Sequence, residues 1–305
     1  GREMNFKRIE LADREILFPI LFSSGRPVCD LSFTNLYGWG FLYETAWALE
    51  DDTTLVIRFI DKRHNHPVYL LPYCLDLASW RNTITKLEQA AQTEDYPLVF
   101  MGVSKECSSL LEEYFPGEFQ LIWDDAYVDY IYTRQKLVTL KGKKLQPKRN
   151  HINKFKRLFP SWHYEELKAS NKQDVLNFTQ SWFDASEASE GLKNERIMVE
   201  RILETEAFET LQLSGGLLYT DKDLVAVTIA SPINKNTMDI HVEKAIPNIN
   251  GAYAMINQSF ASTVPESYEY INREEDLGIP GLRFAKESYQ PDMRLSKGTA
   301  VLRRP

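Results

Sequence analysis

Residues 241–261, HVEKAIPNINGAYAMINQSFA, decide the fold of this chain. The run that leads into them, Met238 to Lys244, alternates as a half-buried strand does, with Met238, Ile240 and Val242 on one side and Asp239, His241 and Glu243 on the other. Such a strand points the three polar side chains the same way. After Pro247 comes Asn248-Ile249-Asn250-Gly251-Ala252, and Tyr253 to Ala261 then places Ala254, Ile256, Phe260 and Ala261 at helical spacing. A glycine at a helix start lets backbone N–H groups approach a ligand, and the helix dipole favours an anion there. Asn248, Asn250, Gly251 and Ala252 are therefore candidates for a pyrophosphate cradle; a plain capped helix start reads the same way.

Residues 270–291, YINREEDLGIPGLRFAKESYQP, repeat the plan. A strand over Tyr268 to Asn272 meets an acidic turn, and Gly278 and Pro280 precede a helix that runs to about Tyr289, where Pro291 stops it. Asn272, Glu274 and Asp276 would cluster at the strand's carboxyl end, the place where open α/β sheets bind ligands. The competing reading is that Glu275 and Asp276 complement the dipole of the following helix. Lys286, on that helix, is placed to neutralise a donor or an oxyanion, or to pair with Asp276 or Glu287.

The chain has 305 residues, 43% of them hydrophobic and 26% charged, which fits two ordinary domains of a soluble globular protein. No apolar run approaches the roughly 20 residues of a membrane span, and no secretory leader is evident, so the expected location is cytoplasmic. Cys29, Cys74 and Cys107 match no metal or redox spacing and read as buried thiols. His64 and His66 lie between strand-like runs at Thr54 to Ile60 and Val68 to Leu75, so they read as a hairpin turn, and no metal site is expected. The alternating aromatics Tyr37, Trp39, Phe41, Tyr43 and Trp47 read as a buried strand face.

Net charge is −7, yet Tyr130 to Tyr164 contains no aspartate or glutamate and ten lysines and arginines. Lys143, Lys144, Lys148, Arg149 and Lys154 are the candidates there for holding a polyanion, whether phosphate, RNA or an anionic lipid surface. Ile152, Phe155, Leu158 and Phe159 form an apolar stripe that would dock this helix and leave its basic face outward.

Element order divides the chain into similar halves. The first reads β-β-α-β-α-β, with helices at Ala78 to Thr93 and Glu106 to Phe115 and strands at Pro97 to Val103 and Phe119 to Ile122. The second reads as helices near Lys172 to Ala188 and Arg196 to Phe208, then strands at Leu211 to Thr220, Leu224 to Ser231 and Thr237 to Lys244, the two strand-turn-helix units, and a last strand at Thr299 to Arg303. The expected class is α/β (α+β), each half a mixed sheet flanked by helices. The expected boundary falls where Gly142 and Pro147 interrupt the pattern, giving domains 1–140 and 141–305 with the basic segment 141–157 at the junction.

Three blocks carry a family resemblance: Leu140 to Leu145 with Lys148 to Phe155; His241 to Glu243 with Gly251 to Tyr253; and Asn272 to Gly278 with Gly281 to Arg283 and Lys286. Together they resemble a bacterial family related to the C-terminal catalytic domain of lysyl-phosphatidylglycerol synthases. The resemblance implies two tandem acetyltransferase-like (GNAT) domains, as in the aminoacyl-tRNA-dependent Fem transferases. In GNAT enzymes the loop matching Asn248 to Ala252 holds the donor's pyrophosphate, but here it lacks the arginine or glutamine and the second glycine common in acetyl-CoA binders.

The leading expectation is acyl or aminoacyl transfer to an amine or hydroxyl, with the donor an aminoacyl-tRNA or an acyl-CoA and the second half catalytic. Such chemistry needs a positioned acceptor, a base and stabilisation of an oxyanion. Glu243 or Glu274, with His241, is the expected base. The alternatives are a coenzyme A-dependent N-acetyltransferase for a small molecule, and a non-enzymatic module that binds RNA or an anionic membrane surface through the basic face.

Overall fold

A computed structural model describes residues 4–52, 54–72 and 76–304. The strands are β1 Lys7–Arg8, β2 Ala46–Glu50, β3 Thr54–Asp61, β4 His66–Leu70, β5 Val99–Val103, β6 Phe119–Trp123 and β7 Asp129–Thr133. They continue as β8 His163–Glu166, β9 Ser214–Tyr219, β10 Leu224–Asn234, β11 Thr237–Ala245, β12 Tyr270–Asn272, β13 Met293–Leu295 and β14 Gly298–Leu302. The α-helices are α1 Arg14–Ser23, α2 Phe33–Gly38, α3 Gly40–Tyr43, α4 Leu77–Glu94, α5 Lys105–Tyr114 and α6 Arg134–Thr139. After them come α7 Gln146–Leu158, α8 Lys172–Ala185, α9 Glu190–Leu203, α10 Thr205–Leu211, α11 Ala252–Thr263 and α12 Pro280–Ser288.

Two seven-stranded mixed sheets result, in the orders β1-β2-β3-β4-β5-β14-β6 and β13-β7-β12-β11-β10-β9-β8. Each is flanked by helices, the mixed α/β architecture that was expected. The units are residues 1–10, 39–128 and 295–305, and residues 11–38 and 129–294. They are not the consecutive halves of a division at residue 140. β7 joins the second unit because it pairs with β12, and β14, expected to close the second half, lies between β5 and β6 in the first sheet.

In the first unit α4 is capped by Asp76, whose side chain accepts from the Ala78 N–H, and it turns Trp80, Ile84, Leu87 and Ala91 into a core with Val56, Tyr69 and Phe100. His64 and His66 sit on the β3–β4 hairpin, with Asn65 at φ 53° supplying the left-handed turn residue. The strand expected to reach residue 75 ends at Leu70; residues 73–75, including Cys74, lie outside the described residues. Cys29 is buried and Cys107 half-buried. The aromatic run is not one strand: Tyr37 lies in α2, Phe41 and Tyr43 in α3, and only Trp47 in β2. The helix expected over Arg196 to Phe208 is two helices, α9 and α10.

In the second unit α11 packs on the sheet through Met255, Ile256, Phe260 and Ala261, sharing a core with Tyr132, Ile152, Phe155, Met238, Ile240 and Ile271. β11 and β12 run parallel only over Thr237 to Asp239, with Asp239 opposite Asn272, so β12 ends and turns toward α12 beside the first part of β11, which continues to Ala245. Among the described residues no helix is long and apolar enough to cross a membrane.

Candidate functional site

The alternation expected of β11 is broken at its centre. Ile229 pairs with Val242 and Ala230 with Ile240, so His241 is an extra residue on β11, a bulge. The parity of the strand changes there. Met238 and Ile240 belong with α11 to one core, and beyond the bulge Glu243 faces the same helix, accepting from Asn257 Nδ2 at 3.0 Å. Asp239 and His241 face the other way, toward Asn35 and Ser231. The expectation that Asp239, His241 and Glu243 share a face is corrected accordingly.

Asp239 and His241 meet Glu274, which leaves β12 after Asn272. His241 Nδ1 lies 3.2 Å from Asp239 Oδ2 and 3.2 Å from Glu274 Oε2, and its Nε2 lies 2.6 Å from Ser231 Oγ, which in turn lies 2.9 Å from Thr34 Oγ1. Both ring nitrogens are thus engaged, which fixes the ring. Asn35, on α2, donates to Glu274 Oε2 at 2.8 Å and to the Cys29 carbonyl at 3.0 Å. The Asp239 and His241 side chains are fully buried, whereas Glu274 is 22% exposed, so Glu274 is the member that reaches solvent. Burial opposes its charge, but the hydrogen bonds from His241 and Asn35 help to outweigh burial, and its carboxyl lies well below the usual range. Glu274 also carries φ 65°, a strained conformation for a non-glycine residue, of the kind that clusters at functional sites.

Asn272 holds this turn. Its Oδ1 accepts from the Glu274 N–H at 2.7 Å, and its Nδ2 donates to Asp129 Oδ2 at 2.9 Å and the Pro27 carbonyl at 2.8 Å. Asp276 is fully buried and works as a second brace, accepting from Tyr130 Oη at 2.7 Å, Arg283 Nε at 2.9 Å and the Gly278 N–H at 2.8 Å. Burial raises its carboxyl, but these bonds outweigh burial and leave it below the ordinary value; burial and then the Asp276 contact push the Tyr130 hydroxyl up to about 12. Lys286 pairs with neither Asp276 nor Glu287: its Nζ donates to the carbonyls of Arg273, at 2.7 Å, and Glu275.

Glu243 stands apart from Glu274. Arg273 NH2 donates to its Oε1 at 2.8 Å, and both side chains are 11% exposed. Burial works against the Arg273 charge, and Glu243 more than restores it.

Gly251 caps α11 at φ 84°, and a Cβ there would lie 2.5 Å from the His151 carbonyl oxygen and 3.2 Å from Phe155 Cβ. Its glycine is explained by the close approach of α7. Asn250 Oδ1 lies 3.2 Å from His151 Nδ1, and the Ala252 N–H is bonded to the Ile249 carbonyl. The five basic residues separate into kinds. Lys143, Lys144 and Lys154 are exposed; Arg149 is tied to the carbonyls of Leu140 and, at 2.8 Å, Gly142; Lys148 is half-buried with its Nζ 4.4 Å from the Tyr289 ring centre. Ile152 and Phe155 dock α7, but Leu158 is 54% exposed and lies outside the stripe.

Of the residues singled out in the sequence, the structure brings His241, Glu274 and Asn272 together, and it adds Asn35, Ser231 and Asp129, which the sequence reading did not single out. Those partners come from segments up to 239 residues away, and no spacing within one segment marks them.

The chain matches the family described as phosphatidylglycerol lysyltransferase, C-terminal, over residues 23–299. A conserved protein of unknown function from Bacteroides thetaiotaomicron is 42% identical over 99% of this chain and 100% of its own, with a TM-score of 0.92. The C-terminal domain of a putative lysylphosphatidylglycerol synthetase from Agrobacterium fabrum is 15% identical over 97% of this chain and 93% of its own, with a TM-score of 0.67, which shows the shared fold. An uncharacterised protein of Mycoplasmoides gallisepticum is 22% identical over 57% of this chain and 56% of its own, so that match spans little more than half of either. By a match that covers most of its length, the chain belongs to the phosphatidylglycerol lysyltransferase C-terminal family.

Proposed function

We propose that the second unit transfers an aminoacyl group from a charged tRNA to an amine or hydroxyl acceptor, with Glu274 receiving the acceptor's proton. The family supports an acyltransferase-type role, and its name supplies the first pair to try: a lysyl group and phosphatidylglycerol. The observation that carries the reading is the Glu274-His241-Asp239 cluster at the carboxyl end of β12.

An activated ester needs no covalent enzyme intermediate. The acceptor's oxygen or nitrogen forms the new bond to the acyl carbon, its proton passes to Glu274, and the bond to the tRNA ribose oxygen breaks as that oxygen takes up the proton, which restores the carboxylate. The bonds that depress Glu274 weaken it as a base, so in this reading it holds the acceptor and takes its proton only as the transfer proceeds, while Ser231 fixes the imidazole beside it. An acyl-CoA donor has less support: the glycine of its expected cradle is accounted for by packing against His151.

The test is transfer of radiolabelled lysine from lysyl-tRNA into phosphatidylglycerol vesicles or soluble amines, with Glu274→Gln alongside. Activity lost in a folded variant supports the assignment; equal turnover by wild type and variant sinks it.

A further inference from the structure

A second group of buried polar atoms is left open around Glu243, on the side of β11 that faces α11. Arg273 spends NH2 on Glu243, but its NH1, also buried, has no hydrogen-bond partner among the described residues. Asn257 is 1% exposed and gives its Nδ2 to the other Glu243 oxygen, while its Oδ1 also has no partner among the described residues. Folded proteins pair nearly all such groups, so a donor and an acceptor left open on either side of one carboxylate call for a ligand.

The charge around them gives its sign. Lys148 Nζ lies 4.4 Å and Arg273 Cζ 4.6 Å from the Tyr289 ring centre, and Lys286 Nζ is bonded to the Arg273 carbonyl. Three cations therefore lie around Arg273 and the Tyr289 ring. Burial, and then the Arg273 charge, lowers both lysines from their ordinary values, a penalty that a bound anion would relieve.

We infer that Arg273 and Lys148 form the inner end of an oxyanion site that takes a phosphate group, with NH1 of Arg273 as the open donor and Glu243 and Asn257 holding the guanidinium in place. Asn257 Oδ1 accepts a hydroxyl hydrogen of the same ligand. A guanidinium fork suits carboxylate and phosphate alike. Phosphate is favoured because the segment that supplies Lys148 continues outward through exposed Lys143, Lys144 and Lys154, as a phosphate-rich ligand requires. That the phosphate belongs to the acyl donor rests on the function proposed above; the binding does not.

Calorimetric titration with inorganic pyrophosphate tests the site directly. Wild type should bind saturably, and Lys148→Met should weaken binding by about tenfold or more. Glu243→Gln should tighten it, because it removes the negative charge that competes with the ligand for Arg273 while its amide oxygen still accepts from NH2, and the exposed Lys222→Ala serves as the control for net charge. Circular dichroism confirms folding. Absence of saturable binding, equal weakening by Lys222→Ala and Lys148→Met, or indifference to both Lys148→Met and Glu243→Gln would overturn the site. Pyrophosphate binding without transfer activity would keep it and remove the proposed function, whereas transfer without pyrophosphate binding would do the reverse. Displacement by deacylated tRNA but not by coenzyme A would assign the phosphate to nucleic acid; displacement by coenzyme A would assign it to a nucleotide thioester.

Discussion

His241 Nδ1 lies 3.2 Å from Glu274 Oε2 and the same distance from Asp239 Oδ2, so one ring nitrogen serves two carboxylates. A single N–H cannot satisfy both fully, and the second bond that Glu274 takes from Asn35 makes up the difference. The bulge at His241 makes this convergence possible, because it turns Asp239 and His241 away from the helix that Glu243 faces.

Ser231 should act as a positioning residue. Ser231→Ala removes the 2.6 Å contact to His241 Nε2 and should lower kcat by roughly tenfold with KM unchanged while shifting the pH–rate profile. A purely structural role would lower the melting temperature and leave the profile in place.

Acid should unfold the protein through Glu274 and Asp276. Both carboxyls are depressed in the folded state, so the stability they contribute is present above their unfolded values, about 4.3 and 3.9, and is lost as pH falls below them. Urea unfolding of Glu274→Gln/Asp276→Asn should therefore show a shallower loss of stability below about pH 4.5 than wild type. Parallel slopes would contradict this.

Gly251→Ala should cost about 2 kcal/mol or more, since the residue holds φ 84° and its new Cβ would press on the His151 carbonyl oxygen. Thermal melts measure this. An unchanged melting temperature would mean that α7 yields easily.

Asp276→Ala should lower stability by on the order of 3 kcal/mol, because it strands the buried Tyr130 hydroxyl and the Gly278 N–H. Arg283→Ala should cost less, as that side chain is 45% exposed. Equal losses would place the weight of the turn on the ion pair.

Much of the fold was legible because β11, α11 and α12 each carry their own periodicity and stop signals. The bulge was not, since period-2 reading has no mark for one extra residue. The aromatic run misled for a related reason: α2 and α3 are six and four residues long, too short for the helical period to show against a chance alternation. Asn272 and Glu274 were legible as polar residues at a strand end, and His241 as a polar residue in an alternating strand. Asn35, Ser231 and Asp129 were not, because only tertiary pairing brings them there. The place of β14 was hidden likewise, since a final strand carries no sign of which sheet it joins.

The most direct test of the central claim is the single-turnover rate of lysyl transfer from lysyl-tRNA by wild type, Glu274→Gln and, as a neighbouring control, Glu275→Gln. Loss of about a hundredfold or more in Glu274→Gln, with Glu275→Gln near wild type and both folded, is the predicted result. Equal rates for wild type and Glu274→Gln would contradict the account.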